Sequence, residues 1–403
     1  MASSNTFITP TIIAKEAVSL LENKLVLANL VDRRYKKEWE KNPPAIGASV
    51  EIKRRTDFTV RLGATYSSQN ITQSYETLTI NLQRGVDFDY SSLEATLSLD
   101  EFSDQIIQPA VIQLANKVER DIAGLYIDMY NAVGTPGTLP DSYGEFSPCA
   151  QRLDEMGVEE EDRYLVVTPE IYHTGLATAA VGLYQNELVK KTFQTGYVGD
   201  VAGMSSFISN NLSTHTVGAK AGTTPLTNGS GQTGASIVTD GWTASTADCV
   251  KAGDIITIAG VYAVNPITKD TLPWLKQFVV TADADSDSSG NMTISVSPAL
   301  VATGAFKNAS ASIADGAAVT VLGTASTAYS QSFAFQKQAI ALAFVPMVLP
   351  PGTEAARETY KGISIRVVRD YDIANDLILC RLDVLYGVKL VEPRRAVRLF
   401  SSH

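Results

Sequence analysis

The chain is poor in the residues from which reactive centres are built. Its 403 residues include three cysteines, and Cys149, Cys249 and Cys380 each stand a hundred or more residues from the next. That spacing gives no disulfide framework and no CxxC ligand pair, so buried, reduced thiols are expected. Histidine is equally scarce: His173, His215 and His403 are the only three, too few for a histidine metal site or a general-base relay. Neither a GxSxG nucleophile elbow nor a GxxxxGK[ST] phosphate loop occurs, and each would be needed for its chemistry. No run approaches the roughly 18 apolar residues that span a bilayer. The start, Met1 to Thr6, lacks the basic and apolar stretches of a secretory signal, so soluble expression in a cytoplasm is expected. These absences predict no catalytic, cofactor-binding or metal-binding residues.

The most informative absence is local. Between Leu188 and Thr353 there is no arginine and no glutamate, although both are plentiful on either side. Between Ser213 and Ala328 the positive charge rests on Lys220, Lys251, Lys269, Lys276 and Lys307 alone, and Ser, Thr, Ala and Gly dominate. Short runs there alternate apolar with small polar residues, the pattern of an all-β unit. The change of compositional rules marks an insertion, and the flanks belong together.

What is present is ordinary for a globular protein. Apolar content of 45% with 19% charged residues excludes the disordered and membrane classes, and the length predicts two or three domains. A net charge of −10 argues against tightly held nucleic acid, because such binding needs lysines and arginines to displace counterions from phosphate. The basic cluster Arg33-Arg34-Tyr35-Lys36-Lys37 is interleaved with Asp32, Glu38 and Glu40 and is read as a solvated helix end.

Along the chain, Thr9-Pro10 opens a helix whose apolar positions, Ile12, Ile13, Val18, Leu21, Leu25 and onward to Val31, make a face too broad for one contact. Something beyond the arm must cover it. After Pro43-Pro44, residues from Val50 to about Ser91 alternate as strands, with Gly63 to Asn70 as a tip and Arg54, Arg55 and Arg61 on one limb. A two-stranded ribbon is marginal in water and its open edges invite pairing, so a neighbouring chain is the expected support. Ser98 and Glu101 fit a capping box. From there to about Ala132, Ile107, Val111, Leu114, Val118, Ile122, Leu125 and Met129 recur at helical spacing, predicting a spine of about 45 to 50 Å kinked at Pro109. Gly134 to Pro148 holds turn residues; a helix over Cys149 to Met156 and a strand over Tyr164 to Val167 follow in an α/β arrangement to about Leu212. After the insert, Phe333 to Phe344, Ile363 to Val368 and Leu377 to Val391 are read as strands, the last two joined by a turn at Asp370-Tyr371-Asp372.

Two literal motifs fail the test of mechanism. Gly229 to Gly234 spells GxGxxG, yet Pro225 and Thr227 precede it and Ala235 to Thr239 is strand-like, whereas dinucleotide binding needs a helix N-terminus there. A flexible loop is expected. Asp283, Asp285 and Asp287 suggest a calcium loop, but the sixth and twelfth positions hold Ser288 and Ile294 in place of the required glycine and carboxylate. A solvated hairpin turn between Phe278-Val280 and Met292-Ile294 is expected.

Arm, ribbon, spine, split α/β region and β-rich insert, taken in this order, resemble the major capsid proteins of tailed double-stranded DNA phages, in particular the short-tailed-phage type with an inserted domain in the Hong Kong 97-type capsid fold. Locally the resemblance is carried by Gly253 to Val261 with Ala263 to Pro266, by Ser332 to Ala343, and by Cys380 to Val388. It implies an α+β fold with an N-terminal arm (1–49), an extended β-ribbon loop (50–95), a peripheral domain with the spine helix (96–147), a split axial and peripheral α/β region (148–212 and 329–403) and an inserted β-barrel (213–328). It also implies a non-catalytic shell protein of the virion, assembled in the bacterial host cytoplasm as hexamers and pentamers of itself. Scaffolding and portal proteins would be partners in a procapsid, a decoration protein is a further candidate partner, packaged DNA would be contacted only weakly, and no membrane is involved. The stretch Gly222 to Gly234 departs from such relatives, being nearly uncharged where they place a charged loop across a two-fold contact. No lysine-asparagine cross-links are expected. An encapsulin-like nanocompartment shell is the alternative on the same fold, and a carbohydrate-binding surface β-domain protein the alternative on another.

Overall fold

The computed structural model describes residues 10–35, 49–60, 63–66, 68–69, 71, 73–91, 106–182, 199–220 and 224–401. In chain order its elements begin with α1 (Pro10–Lys24), α2 (Leu27–Leu30), β1 (Ser49–Lys53), β2 (Tyr75–Thr79), β3 (Leu82–Ser91), α3 (Gln108–Ala123), β4 (Ala132–Val133), α4 (Tyr143–Glu155) and β5 (Arg163–Val167). Then follow β6 (Asp200–Val201), β7 (Met204–Ile208), β8 (Thr214–Thr216), β9 (Leu226–Thr227), β10 (Gly234–Asp240), β11 (Ile255–Val264), β12 (Thr271–Val280), β13 (Met292–Leu300) and β14 (Val319–Val321). The chain ends with β15 (Ala328–Gln336), β16 (Ile340–Phe344), β17 (Glu354–Tyr360), β18 (Ile363–Asp372), β19 (Leu377–Leu390) and β20 (Ala396–Phe400). These elements divide into two units, one drawn from residues 1–52, 76–123 and 340–389, the other from 53–75, 124–339 and 390–403.

In the first unit, α1 buries Ile13, Ala14, Ala17, Val18 and Leu21, one stripe at three- and four-residue spacing. The stripe packs on β17, β18 and α3. The arm's apolar face is therefore covered within its own unit, and does not need another chain to cover it. Where α1 gives way to α2, the amides of Val26 and Leu27 donate to the buried Glu119 carboxylate of α3, 2.7 Å from Leu27. Further on, Asp32 pairs in parallel with β16: its amide donates to Ile340 O (3.0 Å) and its carbonyl accepts from Leu342 N (2.9 Å). Its carboxylate pairs with exposed Arg34. Arg33 and Arg34 thus follow the end of α2 just past this single bridge; Lys36 and Lys37 lie outside the described residues.

Three expectations change here. The spine helix is described over Gln108–Ala123 and ends nine residues short of the predicted Ala132; its predicted start lies outside the described residues. After Ala123 the chain tightens into a 3-10 turn at Gly124–Asp128 and then enters β4, because Leu125 and Met129 continue the helical spacing without continuing the helix. Pro109 lies at the junction of a π turn and the α-helical run. Second, the long ribbon is two things: β1 and β2 form a two-stranded sheet, while β3 runs antiparallel along β19 from Leu82↔Tyr386 to Ser91↔Leu377. Third, β18 and β19 stay paired to Asp372↔Leu377, which moves their turn to residues 373–376. Asp372 accepts Ala374 N at 2.9 Å, and Asp376 takes the positive φ of 52° that closes such a turn. Thr9, Arg61 and the Ser98–Glu101 box lie outside the described residues.

Beside this sheet Arg84 Nε and Tyr386 OH both donate to the Asp121 carboxylate, at 2.8 and 2.7 Å. Burial opposes the Asp121 charge, but hydrogen bonds from Lys117, Tyr386 and Arg84 outweigh it and hold the carboxyl below its usual range.

The second unit is organised around β15. It pairs antiparallel with β20 on one side and with β5 on the other, and β5 continues in parallel to β7. Helix α4 covers this sheet with Phe146, Cys149 and Leu153 against Leu165, Val167, Ala334, Val397 and Leu399. The helix begins at Tyr143, six residues before the predicted start, with Pro148 inside it. Its start signal is Ser142 with Glu145, whose carboxylate accepts the amides of Asp141 (2.7 Å) and Ser142 (3.2 Å), and the proline obscured it.

The β-rich insert leaves through β8 and returns through the first residues of β15, and these two strands pair, Thr214↔Ser330 to Thr216↔Ala328. Its own sheet runs β14-β11-β12-β13-β10-β9. A bridge from Leu226 to Ala318, with Val319 N donating to Pro225 O at 3.0 Å, nearly closes it into a barrel. Ile237, Ile256, Ile258, Phe278, Val280, Ile294 and Val296 fill the interior, with Trp242.

Glu119→Ala leaves two helix-start amides without their acceptor, which costs about 2 to 4 kcal/mol. Urea unfolding of the subunit should show that drop in stability, and Glu119→Gln, which keeps an acceptor oxygen, should lose distinctly less.

Candidate functional site

The sequence motifs resolve into structure without chemistry. The Gly229 to Gly234 stretch is the loop between β9 and β10, and its Gly229 amide donates to Asp315 at 2.7 Å. The three aspartates between β12 and β13 spend their carboxylates on backbone: Asp283 on Ala252 N (2.8 Å), Asp285 on Asp248 N (2.7 Å) and Asp287 on Ser289 N (2.7 Å) and Asn291 N (2.8 Å). The bonds from Asn291 and Ser289 hold the Asp287 carboxyl below its usual range. Among the described residues no three His, Cys, Asp or Glu side chains gather as a metal would require. All three cysteines are free and buried, and burial pushes Cys149 up to about 12 and Cys380 up to about 11, far from the reactive thiolate range. Two grooves flank the far ends of β18 and β19, one of about 370 Å³ lined by Asp87, Asp89, Asp370, Leu379, Cys380 and Arg381; the Cys380 thiol there is held protonated by burial.

What the second unit does build is a buried polar joint between barrel and α/β sheet. Arg398 of β20 is fully buried in an otherwise apolar strand. Its Nε and Nη2 donate to Gln331 Oε1 (2.9 and 2.5 Å), and its Nη1 donates to Gly253 O at 2.6 Å. The guanidinium lies 5.0 Å from the Tyr126 ring and 5.3 Å from that of Phe400. Burial lowers it to about 10, so it stays charged at neutral pH. Tyr126 OH meets His215 Nδ1 at 3.2 Å, His215 Nε2 meets Asp254 Oδ1 at 2.7 Å, and Asp254 Oδ2 accepts Lys251 N (2.8 Å) and Gly218 N (3.1 Å). Gly253 is required at the centre: its φ is +98° and a Cβ there would meet Ile127 at 3.0 Å and His215 at 3.1 Å. Around this polar line Tyr130, Ala132, Ile255, Val279 and Phe400 close an apolar ring. Every member is a framework residue; the imidazole and carboxylate face no nucleophile and no open cleft.

The ribbon loop of the same unit is anchored at its base and bare beyond. Arg54 pairs with Glu392 (2.9 Å), Arg394 with Asp57 (3.1 Å), Arg395 with Glu159 (2.9 Å), and Arg55 also reaches Glu159. The base thus rests on the chain's own C-terminal segment, where a neighbouring subunit was expected. Farther out, Gln69 ties Thr59 by both amide and hydroxyl at 2.9 Å, while Phe58, Val60, Tyr66 and Ile71 are exposed by 55, 91, 84 and 71%. Several apolar side chains of that size exposed within one loop are a feature of contact surfaces.

An α+β subunit with a two-stranded loop, a helix-backed five-stranded sheet and a barrel inserted into an α/β sheet has the Hong Kong 97-type phage capsid fold. A solved structure from Mycobacterium phage Che8 matches it with a TM-score of 0.50 and 16% identity over 93% of this chain and 90% of that one. A second, titled capsid structure of the Cyanophage P-SCSP1u, matches at a TM-score of 0.44 and 11% identity, over 89% of this chain and 84% of that one. The family model described as P22 coat protein, gene protein 5, matches residues 1–401; the chain belongs to that family. The major capsid protein of Acyrthosiphon pisum secondary endosymbiont phage 1 is 22% identical over 335 residues, 78% of each chain. The chain is accordingly a structural, non-catalytic component of the virion that self-assembles into the icosahedral phage shell, which decides between the shell readings and against the carbohydrate-binding one.

Arg398→Ala leaves the buried Gln331 amide oxygen and Gly253 carbonyl without their donor and should cost about 2 to 4 kcal/mol. Thermal melts should report this as loss of a transition shared by barrel and α/β sheet, whereas unchanged cooperativity would refute the joint's role.

Proposed function

We propose that the subunit enters the shell as hexamers and pentamers, with the distal part of the ribbon loop of residues 50–95, beyond the limb that pairs with β19, laid across a neighbouring copy. The observation that carries this is the sharp change along the loop, from a base pinned by Arg54, Asp57 and their partners to a distal part that displays Phe58, Val60, Tyr66 and Ile71. Anchoring the base lowers the entropy lost on docking, so the bare apolar side chains act as a preorganised hot spot. In this reading residues 96–147 serve as the peripheral domain, 148–212 and 329–403 as the axial and peripheral α/β region, and 213–328 as the barrel that stabilises its own subunit and touches neighbours. Shell contacts of about 1,600 Å² each, repeated many times, supply strength by number.

Partners beyond the chain itself follow from the family: a scaffolding protein and a portal protein in a procapsid stage, and a decoration protein as a further candidate. The net charge of −10 suits a container that contacts its DNA weakly, since a basic lining would grip the genome.

Phe58→Ser with Val60→Ser removes exposed apolar area only, so the subunit should keep its melting temperature within about 2 °C. Negative-stain microscopy of the variant mixed with scaffolding protein should show at least a tenfold loss of closed shells. Shells forming at the normal yield would overturn the assignment of the loop.

A further inference from the structure

The joint holds a second buried cation, and it lacks the hydrogen bonds that hold Arg398. Lys276 of β12 is 2% exposed and its ammonium sits 4.2 Å from the centre of the Tyr130 ring. Two residues earlier on the same strand, Trp274 is stacked under the Arg152 guanidinium at 3.4 Å and donates its Nε1 to Glu155 Oε2 at 2.6 Å. One residue later, Gln277 exchanges two hydrogen bonds with the Ala132 backbone, at 2.7 and 2.8 Å. Strand β12 therefore clips the barrel to the α/β sheet on both sides of Lys276.

The charges around the amine are uneven. From α4 come Arg152, which repels it, and Glu155, which is engaged by Trp274. From the segment after α3 comes Tyr130, whose hydroxyl burial pushes up to about 12, and around that ring lie Arg394 and Glu392 of the C-terminal segment and Arg54 of the ribbon loop. Among the described residues no carboxylate pairs with Lys276. On α4, one Arg152 nitrogen has no hydrogen-bond partner. A proton added to Lys276 therefore meets a neighbouring cation and no carboxylate paired to take its charge.

We propose that Lys276 makes the contact between the inserted barrel and the α/β sheet a proton-operated clasp, tight while the amine is neutral and loosened when it is protonated. Burial, with repulsion from Arg152 added, brings the amine down to about 7, against 10.5 for a solvated lysine. Between those values the closed contact has shed a proton that the opened one keeps, so closure strengthens about tenfold per pH unit. Below pH 7 both states carry the proton and closure stays at its weakest. Tyr130 remains neutral throughout the lower part of that window.

Hydrogen exchange of the Ala132 amide in the full chain, corrected for intrinsic rate between pH 6.5 and 9, tests this. Protection should be flat below pH 7 and rise about tenfold per unit above it, while Lys276→Met should be protected strongly and evenly across the range. Equal slopes in the two proteins, or a wild-type profile without a break, would overturn the proposal. Should Lys276→Met not fold, Arg152→Gln still decides, because removing the repelling cation must move the break to higher pH; an unmoved break would also overturn it.

Discussion

A domain inserted into a sheet must leave and return at neighbouring points, and here that constraint is met by one antiparallel pair, β8 with the start of β15. The remainder of β15 is the centre of the host sheet, held by β20 and β5. One continuous strand is therefore both the barrel's exit and the α/β region's axis. The composition break follows from this: beyond the pair the insert builds its own core, and the rules that govern arginine and glutamate in the host do not reach it.

The two cores are apolar and separate, one beneath α4 and one inside the barrel, so the contact between them decides whether the second unit behaves as one body. Burying cations there is costly unless each proton finds an acceptor. Arg398 finds three hydrogen bonds and two aromatic rings; Lys276 finds one ring. The same contact thus combines a fixed point with a conditional one. The arginine's planar fork suits the first role, and the lysine's readily shifted proton suits the second.

Much of this was legible in the residues. The insert announced itself by what it omits, its strands by alternation, and its place among phage shell proteins by the order of its parts. Helix and strand limits were less legible wherever a local signal competed with tertiary pairing: Pro148 masked the Ser142–Glu145 start, and Leu125 and Met129 kept helical spacing past the point where β4 draws the chain into the sheet. The arm's broad apolar face gave no hint that α3, β17 and β18 would cover it, since periodicity reports that a face is buried and not by what. The joint was hardest to foresee. Gly253 and Asp254 stood in a family motif, yet their partner Arg398 lies some 145 residues away; the one available signal was a lone cation in the apolar run Ala396 to Phe400, as Lys276 is within Trp274 to Val280.

The shared strand also determines how mechanical load passes through the subunit. The barrel hangs from the Ala328 end of β15, so a tug on it acts along that strand's axis, while the ladders to β20 and β5 run across it. Such a force shears those two ladders together and does not unzip one bond at a time. A load passed between barrel and host sheet along β15 would thus meet the direction in which those ladders resist most.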